Sequence, residues 1–148
     1  MTGGPATLVT DRVRVQTRGE TQVLDITPQV AALVKQHRLR HGQALVFVVG
    51  STAGLTTVEY EPGLVEDLPE AFERLAPRHA DYHHEESWHD GNGYAHVRAS
   101  LLGCSLTIPV ADGALLLGTW QQIVLIDFDN RPRRREIVVQ LSGEISSS

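Results

Sequence analysis

The 148-residue chain carries 13 basic and 18 acidic side chains, a formal net charge of −5, which disfavours a nucleic-acid partner with its need for a basic face. No apolar run approaches the ~20 residues that cross a bilayer, so no membrane partner is expected. The single cysteine, Cys104, excludes an intrachain disulfide and is typical of a reducing compartment, so we expect a cytoplasmic protein. The length favours one domain over residues 1–148.

The first third of the chain predicts two strands, a helix and a further strand. Thr7–Thr17 alternates polar and apolar residues, and Thr21–Thr27 comes after a short turn, so a β-hairpin is the simplest interpretation. Thr27–Gly42 has helical spacing, with a threonine as N-cap and a glycine at its end. The continuous apolar run Gln43–Gly50 predicts a buried central strand.

The middle of the chain predicts one strand and two helices. Gly54–Gly63 alternates and is rich in β-branched residues, which favours a strand. Leu64–Pro77 predicts a second helix, and Pro69 inside the pattern is expected to break it. Asn92–Gly103 predicts a third, short helix after a polar loop.

The last third predicts about four strands. Asp112-Gly113 is a hairpin signal between the β-rich halves of Cys104–Gly118. Thr119–Asp129 and Glu136–Gly143 predict the final strands, on either side of a basic turn. This order is not a repeating βαβ pattern, so we predict an α+β fold, a mostly antiparallel sheet or sandwich with two to three helices.

Histidines concentrate in the polar loop and the third helix. Adjacent residues on a strand face opposite sides, so at most one of His83 and His84 faces a given site. His84 and His96 are twelve positions apart and can share a site if the loop folds back. A solvated histidine-rich loop is the alternative for the five residues His79, His83, His84, His89 and His96.

Glu59 and Asp67 are the candidate carboxylates to accompany the histidine pair. Two neutral imidazoles and a carboxylate suit Zn²⁺ or a similar divalent ion. Asp67 lies near a predicted helix start, where a role in capping or toward the helix dipole is the alternative. The chain has neither HExxH nor paired CxxC, so spacing alone does not choose between a metal site and an acid–base site.

Three other places offer substrate contacts. Ser51 and Thr52 present hydroxyls in a small-residue turn, although the spacing is not that of a P-loop. Thr119 and Trp120 offer a hydroxyl and a stacking surface, with core packing as the alternative for the tryptophan. The segment Arg131–Glu136 contains four arginines, whose forks suit phosphate, with a solvated turn or interchain ion pairs as the alternatives.

Taken together, these motifs resemble the YjbQ family, also called the secondary thiamine-phosphate synthase family. The resemblance covers about residues 15–145, and AHxxAS–LxG followed by LGTWQ is its most specific part. Four stretches carry it: residues 51–68, 82–110, 112–129 and 130–144.

The resemblance implies a YjbQ-like homotrimer that acts on a phosphorylated small molecule. Members are linked to thiamine-phosphate synthesis, which joins a pyrimidine diphosphate to a thiazole phosphate and releases pyrophosphate. On this interpretation His84 and His96 hold a divalent metal, Zn²⁺ or Mg²⁺, or act as acid–base groups beside Glu59 and Asp67. The substrate contacts implied are Ser51, Thr52, Arg98, Ser100, Thr119, Trp120 and Arg133.

The sequence departs from the family pattern at two positions. Many members carry a histidine in an HTS or HTT turn and an asparagine just before the glutamate, where this chain has Gly50 and Val58. A branch with altered ligands or a different substrate is one interpretation. The other is a non-catalytic homotrimer that binds a ligand or has a structural role.

Overall fold

In the computed structural model, which describes residues 5–147, two antiparallel sheets pack against each other and against helices. The strands are β1 Thr7–Thr17, β2 Gln22–Asp25, β3 Leu39–Val48, β4 Ala53–Val58, β5 Ser105–Ala111, β6 Ala114–Leu115, β7 Gln122–Asp127 and β8 Arg133–Ile145. The helices are α1 Thr27–Gln36, α2 Pro62–Leu75, α3 His84–Ser87 and α4 Gly93–Leu102. The larger sheet has the order β1-β8-β3-β5-β6 and the smaller one β2-β7-β4. The predicted α+β class with mostly antiparallel sheet is confirmed, with α3 an additional helix of one turn.

Strand β7 lies at the centre of the molecule and is buried on both faces. Ile123 and Leu125 face the core shared by the two sheets and α1. Val124 and Ile126, on the opposite face, join the core beneath α2 and α4. A strand covered on both sides is typically a continuous apolar run, which explains why the sequence here shows no alternation.

The predicted β1–β2 hairpin is wrong. β1 pairs along its whole length with β8, whereas β2 pairs with β7 in the other sheet. Three consecutive residues with positive φ, Gly19, Glu20 and Thr21, carry the chain from one sheet to the other. A short turn between two alternating runs therefore did not show that the runs pair with each other.

Helix α1 begins one residue earlier than predicted, and it also ends earlier. Ile26 occupies the N-cap position, and the Thr27 hydroxyl instead accepts a hydrogen bond from the backbone N–H of Ile123 in β7 (2.8 Å). The helix ends at Gln36, and β3 already begins at the buried Leu39. The basic residues assigned to the last helical turns therefore lie partly in a turn and in a strand.

Gly42 is not a helix terminator but half of a close approach between β3 and β8. It lies directly opposite Gly143, and both residues have positive φ, +156° and +140°. A Cβ on Gly42 would collide with the carbonyl oxygen of Ser142, and one on Gly143 with that of His41. Only glycine fits at either position.

Helix α2 runs without interruption through Pro69, contrary to the predicted break. Its start is fixed by Glu61, whose carboxylate accepts from the backbone N–H groups of Gly63 (2.8 Å) and Leu64 (2.6 Å). Near its other end Phe72 packs edge-on against Phe128, with ring centroids 4.8 Å apart. Capping and packing offset the one helical hydrogen bond that proline removes.

The predicted Asp112-Gly113 hairpin is confirmed between β5 and β6, and both residues have positive φ, as a type I′ turn requires. The strand predicted from Thr119 starts only at Gln122, so Trp120 lies in the preceding turn. Within residues 5–147, no helix combines the length and apolar character needed to span a bilayer.

Candidate functional site

The segment between α2 and α4 folds back and brings two histidines into ring contact. His84 begins α3 and His96 lies near the start of α4, with ring centroids 4.4 Å apart. Gly93 permits this approach, because a Cβ there would lie 2.6 Å from the Cβ of Tyr82. The segment before α3 therefore packs directly on the start of α4, and the predicted pair lies together.

A group of potential metal ligands surrounds His84. One ligand atom each from His84, Glu85 and Asp90 lies within 4.8 Å of the others, and His84 Nε2 is 3.2 Å from Asp90 Oδ1. Glu85 Oε1 is buried without a hydrogen-bond partner in the part of the chain that the structure describes. A buried carboxylate oxygen with no donor is costly. A bound cation would satisfy it, so these donors fit a divalent metal.

Asn92 adds an electrostatic conflict that a cation would relieve. One terminal atom of its amide lies 3.1 Å from His84 Nε2 and 2.8 Å from Asp90 Oδ1. The other lies 3.3 Å from Asp129 Oδ1. Because an amide has one NH₂ end and one oxygen, its oxygen faces a carboxylate in either orientation. A cation or a proton held by one of the two carboxylates removes this repulsion.

His96 is held in the neutral form that metals and general bases require. Burial lowers the pKa of His96, and the neighbouring His84 lowers it further. The carboxylates of Asp90, Asp129 and Glu85 oppose this shift without reversing it. A neutral imidazole is able to ligate a cation or to accept a proton.

Behind Asn92, the fully buried Asp129 collects hydrogen bonds from several elements. Thr52 Oγ1 donates to Asp129 Oδ2 at 2.9 Å, and Arg133 Nε donates to the same oxygen at 2.8 Å. Burial would raise the pKa of Asp129, but bonds from the Asn130 N–H, Thr52, Arg133 and Asn92 together hold it below its usual value. Asp129 is therefore a buried anion behind the histidine pair.

A second buried carboxylate, Asp127, is joined to the first. Arg135 Nε donates to Asp127 Oδ2 (2.7 Å) and Nη2 donates to Oδ1 (2.8 Å), a bidentate pair. Thr17 Oγ1 donates to Oδ2 (2.6 Å), and the backbone N–H of Asp129 donates to Oδ1 (3.0 Å). Arg135 Nη2 also donates to Thr52 Oγ1 (2.7 Å), so one network links both carboxylates.

Arg133 orients part of its guanidinium outward. Its side chain is 34% exposed, and its Nε bond to Asp129 is the only side-chain bond it makes within residues 5–147. Both terminal amino groups are therefore available to a ligand. A planar fork fixed by a buried carboxylate suits a phosphate, so the prediction of Arg133 as a phosphate contact retains a structural basis.

The two predicted partner carboxylates do not lie with the histidines. Glu59 comes directly after β4 and Asp67 lies on α2, and both are exposed. Neither belongs to the donor group of the described residues. Glu85 and Asp90, close to His84 in sequence, occupy that place instead.

Arg98, predicted to bind substrate, is buried, and each of its three guanidinium nitrogens donates to the protein. Its Nε donates to the Ala76 carbonyl (2.9 Å), and its Nη1 donates to Thr21 Oγ1 (2.8 Å). Its Nη2 donates to Glu73 Oε2 at 2.5 Å. These bonds tie α4 to the end of α2 and leave the guanidinium no free edge for a phosphate.

The other predicted contacts are exposed, apart from Thr52. Ser51 lies at the surface beside the network, and Ser100 Oγ donates to the His96 carbonyl within α4 (2.8 Å). Thr119 and Trp120 lie in the turn before β7, with Trp120 69% exposed. Within residues 5–147, no hydrogen bond or ion pair joins Thr119 or Trp120 to the histidine pair.

At Gly50, the space beside the backbone is already filled. A Cβ there would lie 2.9 Å from Arg135 Nη1, and its φ of +128° disfavours any side chain. The guanidinium of Arg135 thus occupies the place into which a histidine at this position would have to extend. Val58, the second departure from the family pattern, is half-buried on β4.

Besides Asn92, two residues beyond the run HHEESWHD, five residues of the site were not predicted from the sequence, for two different reasons. Glu85 and Asp90 are adjacent to the histidines and could have been found from this dense run. The other three come together only when β7 meets β8, although two carboxylates ending a buried apolar run were a signal of a buried polar site. They are Asp127, Asp129 and Arg135.

These features define an α+β protein with a histidine–carboxylate cluster backed by a buried arginine–aspartate network. Residues 11–144 match the family described as UPF0047 protein YjbQ-like. A UPF0047 protein of Archaeoglobus fulgidus is 40% identical over 126 residues, covering 85% of this chain and 95% of that protein. One of Methanocaldococcus jannaschii is 36% identical over 134 residues, covering 90% and 94%.

Solved structures agree with these sequence matches. A YbjQ-like protein of unknown function from Sulfolobus solfataricus superposes with a TM-score of 0.90 at 33% identity, covering 95% of this chain and 100% of that one. An uncharacterised conserved protein of the same family from Clostridium acetobutylicum gives 0.81 at 35% identity, covering 88% and 98%. The chain therefore belongs to the YjbQ (UPF0047) family, as the sequence motifs predicted.

Proposed function

We propose that this protein is a divalent-metal-dependent enzyme of phosphorylated small molecules. The observation that carries the proposal is the donor group of His84, Glu85 and Asp90 with its unpartnered buried oxygen. His96 is not in this group, but its ring contacts that of His84 and would add a second imidazole. Two imidazoles with two carboxylates suit Zn²⁺.

The reaction class proposed is the one that the family resemblance implies. A thiazole phosphate attacks a pyrimidine methylene through its ring nitrogen, and the carbon–oxygen bond to the diphosphate breaks with release of pyrophosphate. A metal would supply Lewis-acid stabilisation to the leaving diphosphate. The open fork of Arg133 would bind a second phosphate oxygen. The attacking ring nitrogen carries no proton, so this substitution needs no base, and neutral His96 would serve as a ligand of the cation.

The buried network supports this role by holding the site rigid. Asp129 and Asn92 stand between Arg133 and His84, so the anion-binding and metal-binding groups are joined by two hydrogen-bonded side chains. Groups fixed before substrate arrives stabilise developing charge without the cost of reorganisation.

We also propose the homotrimer that the resemblance implies. Large apolar side chains are exposed on α4 and in the turn before β7, including Leu101 (61%) and Trp120 (69%). Exposed apolar groups of this size are typical of interaction surfaces. Trp120 would then serve as a wall of a neighbouring subunit's site. Light scattering of Trp120→Ser against the wild type tests this, with a loss of trimer expected and an unchanged mass counting against the interface.

Metal binding is tested first, without reference to turnover. Zn²⁺ and Co²⁺ affinities are measured by dialysis and absorbance for wild type, His84→Ala and Asp90→Asn. His83→Ala is the matched control, since His83 is adjacent in sequence and its side chain is 98% exposed. Both site variants should lose at least about tenfold in affinity, since even loss of a ligand's hydrogen-bonding partner costs about 10–100-fold, and the control should not. Equal affinities in all four proteins would refute the site.

Catalysis is tested separately by thiamine-phosphate formation with the metal-loaded protein. Wild-type turnover should exceed that of His96→Ala and fall in Arg133→Met, mainly through KM for the phosphorylated substrates. Turnover no higher than in His96→Ala would rule out this reaction. Metal binding together with absent turnover would favour the non-catalytic ligand-binding trimer.

A further inference from the structure

A large groove among residues 5–147 lies away from the histidine pair. It is formed by α1, the turn after it, the start of β3 and the segment around β6, and its volume is about 610 Å³. Volumes of about 300–1,000 Å³ are usual for small-molecule sites. None of the residues of the histidine–carboxylate cluster lines it, so a ligand in this groove would bind independently of the proposed metal.

The walls of this groove are apolar. Val34 and Leu39 belong to the main core and form its floor, and Leu115 and Leu117 line the opposite side. Ala31, exposed on α1, lies at its edge. Such a surface favours the hydrocarbon or ring portion of a ligand.

The charges of the groove are all of one sign. Lys35, Arg38 and Arg40 line it, and among the described lining residues there is no carboxylate. Arg40 approaches the exposed Asp112 at 3.9 Å, whereas the side chains of Lys35 and Arg38 have no acidic partner within residues 5–147. In a chain of net charge −5, three cations around one apolar groove are a local reversal of sign. They would attract a negatively charged group.

Helix capping does not account for these cations. The carbonyls of Leu33 and Lys35 at the end of α1 already accept from the backbone N–H groups of His37 and Arg38. The positive φ of Arg38 (57°) turns the chain just after α1. Lys35 precedes the helix end in sequence, and Arg38 follows it. Both side chains are exposed, and within residues 5–147 neither donates to a protein acceptor.

From this combination we infer a second ligand site, which binds a small amphipathic anion with its apolar body in the groove and its carboxylate or phosphate against Lys35 and Arg38. A small molecule fits this groove because its volume of about 610 Å³ lies in the range usual for small-molecule sites. The two cations select a negatively charged group on the ligand, and the leucine and valine walls select an apolar portion.

Octanoate is the probe, and titration calorimetry measures its binding to the full chain. Octyltrimethylammonium and octanol share its tail but carry the opposite charge or none. Octanoate should bind at least about tenfold more tightly than either, the contribution expected of two exposed ion pairs. Equal binding of octyltrimethylammonium would overturn the assignment of an anion.

Variants locate the binding. Lys35→Glu/Arg38→Glu should weaken octanoate binding at least about tenfold, and Ala31→Phe should abolish it by filling the groove. Arg74→Glu is the matched control, since Arg74 is an exposed cation in the last turn of α2, as Lys35 is in α1. Unchanged affinity in the first two variants, or an equal loss in the control, would overturn the site.

Sedimentation separates a ligand site from a contact between copies. The wild type and Ala31→Phe should have the same oligomeric mass if a small molecule occupies the groove. A wild type that does not bind octanoate, together with a lower mass for Ala31→Phe, would show that a second copy covers the groove and would overturn the proposal.

Discussion

Loss of the Arg135 charge should be the most destabilising single change in the buried network. Asp127 is fully buried, and Arg135, with 6% of its side chain exposed, donates two of the four hydrogen bonds that the carboxylate accepts. Arg135→Met keeps an apolar stem of similar length and leaves Asp127 charged with only Thr17 Oγ1 and the Asp129 N–H as donors. Breaking one side of a buried pair costs about 3–5 kcal/mol. In a chain of this size that lowers the Tm by about 10 °C or more.

Urea denaturation followed by circular dichroism measures this cost. Arg134→Met is the control on the same strand, since Arg134 is exposed, and it should change the free energy of unfolding by less than about 0.5 kcal/mol. Arg135→Met/Asp127→Asn should recover part of the loss, because no uncompensated charge stays buried. A loss below about 1 kcal/mol in Arg135→Met, indistinguishable from the control, would refute the account of this pair as a compensated buried charge.

Three further changes test other parts of the structure. Gly50→His should lower the free energy of unfolding by at least about 1 kcal/mol and leave Zn²⁺ affinity unimproved, because Arg135 fills the space and φ is positive. Glu61→Ala should cost about 1 kcal/mol by removing the N-cap of α2, as measured by denaturation. The folded pKa of Asp129 is depressed, so its stabilisation is complete above ~4 and is lost as pH falls through the folded value. Asp129→Asn should therefore flatten the calorimetric Tm–pH profile below ~4.

Each of these predictions has its own control and contrary outcome. Val49→His is the control for Gly50→His, because it places the same side chain at an exposed neighbouring position and should be tolerated. A rise in Zn²⁺ affinity with Gly50→His would contradict the steric explanation. Glu66→Ala changes an exposed glutamate of the same helix, and an equal loss there would show that capping is not the cause. If the Tm of Asp129→Asn falls at low pH as steeply as that of the wild type, the loss of stability in acid comes from carboxylates other than Asp129.

Local patterns were sufficient for most of the elements but not for their partners. β1 was predicted to the residue because alternation and burial coincide along its length. The same pattern could not show that β8, more than a hundred residues later, is its neighbour, since strand alternation carries no information on pairing. The end of α1 was misplaced because Leu39 continues the helical spacing while it already belongs to β3.

The residues of the candidate site were likewise predictable where they lie close in sequence and not where distant strands bring them together. His84 and His96 were found because they lie within one short segment, and their family motif was recognisable. Arg135 was hidden among exposed arginines, and only the geometry between β7 and β8 distinguishes it as buried. Arg98 shows the opposite error, since an arginine in a polar motif need not face a ligand when it satisfies buried acceptors.

The glycine pair between β3 and β8 has a consequence for the other end of the molecule. Gly42 and Gly143 are the only partners that fit at their crossing, so displacement of β8 by two residues would put a side chain into the facing backbone. Such a step moves the strand by about 7 Å and would carry Arg135 away from Asp127. The crossing therefore fixes the register of β8. Two residues without side chains, at one end of this long strand, set the alignment of the charged groups at its other end.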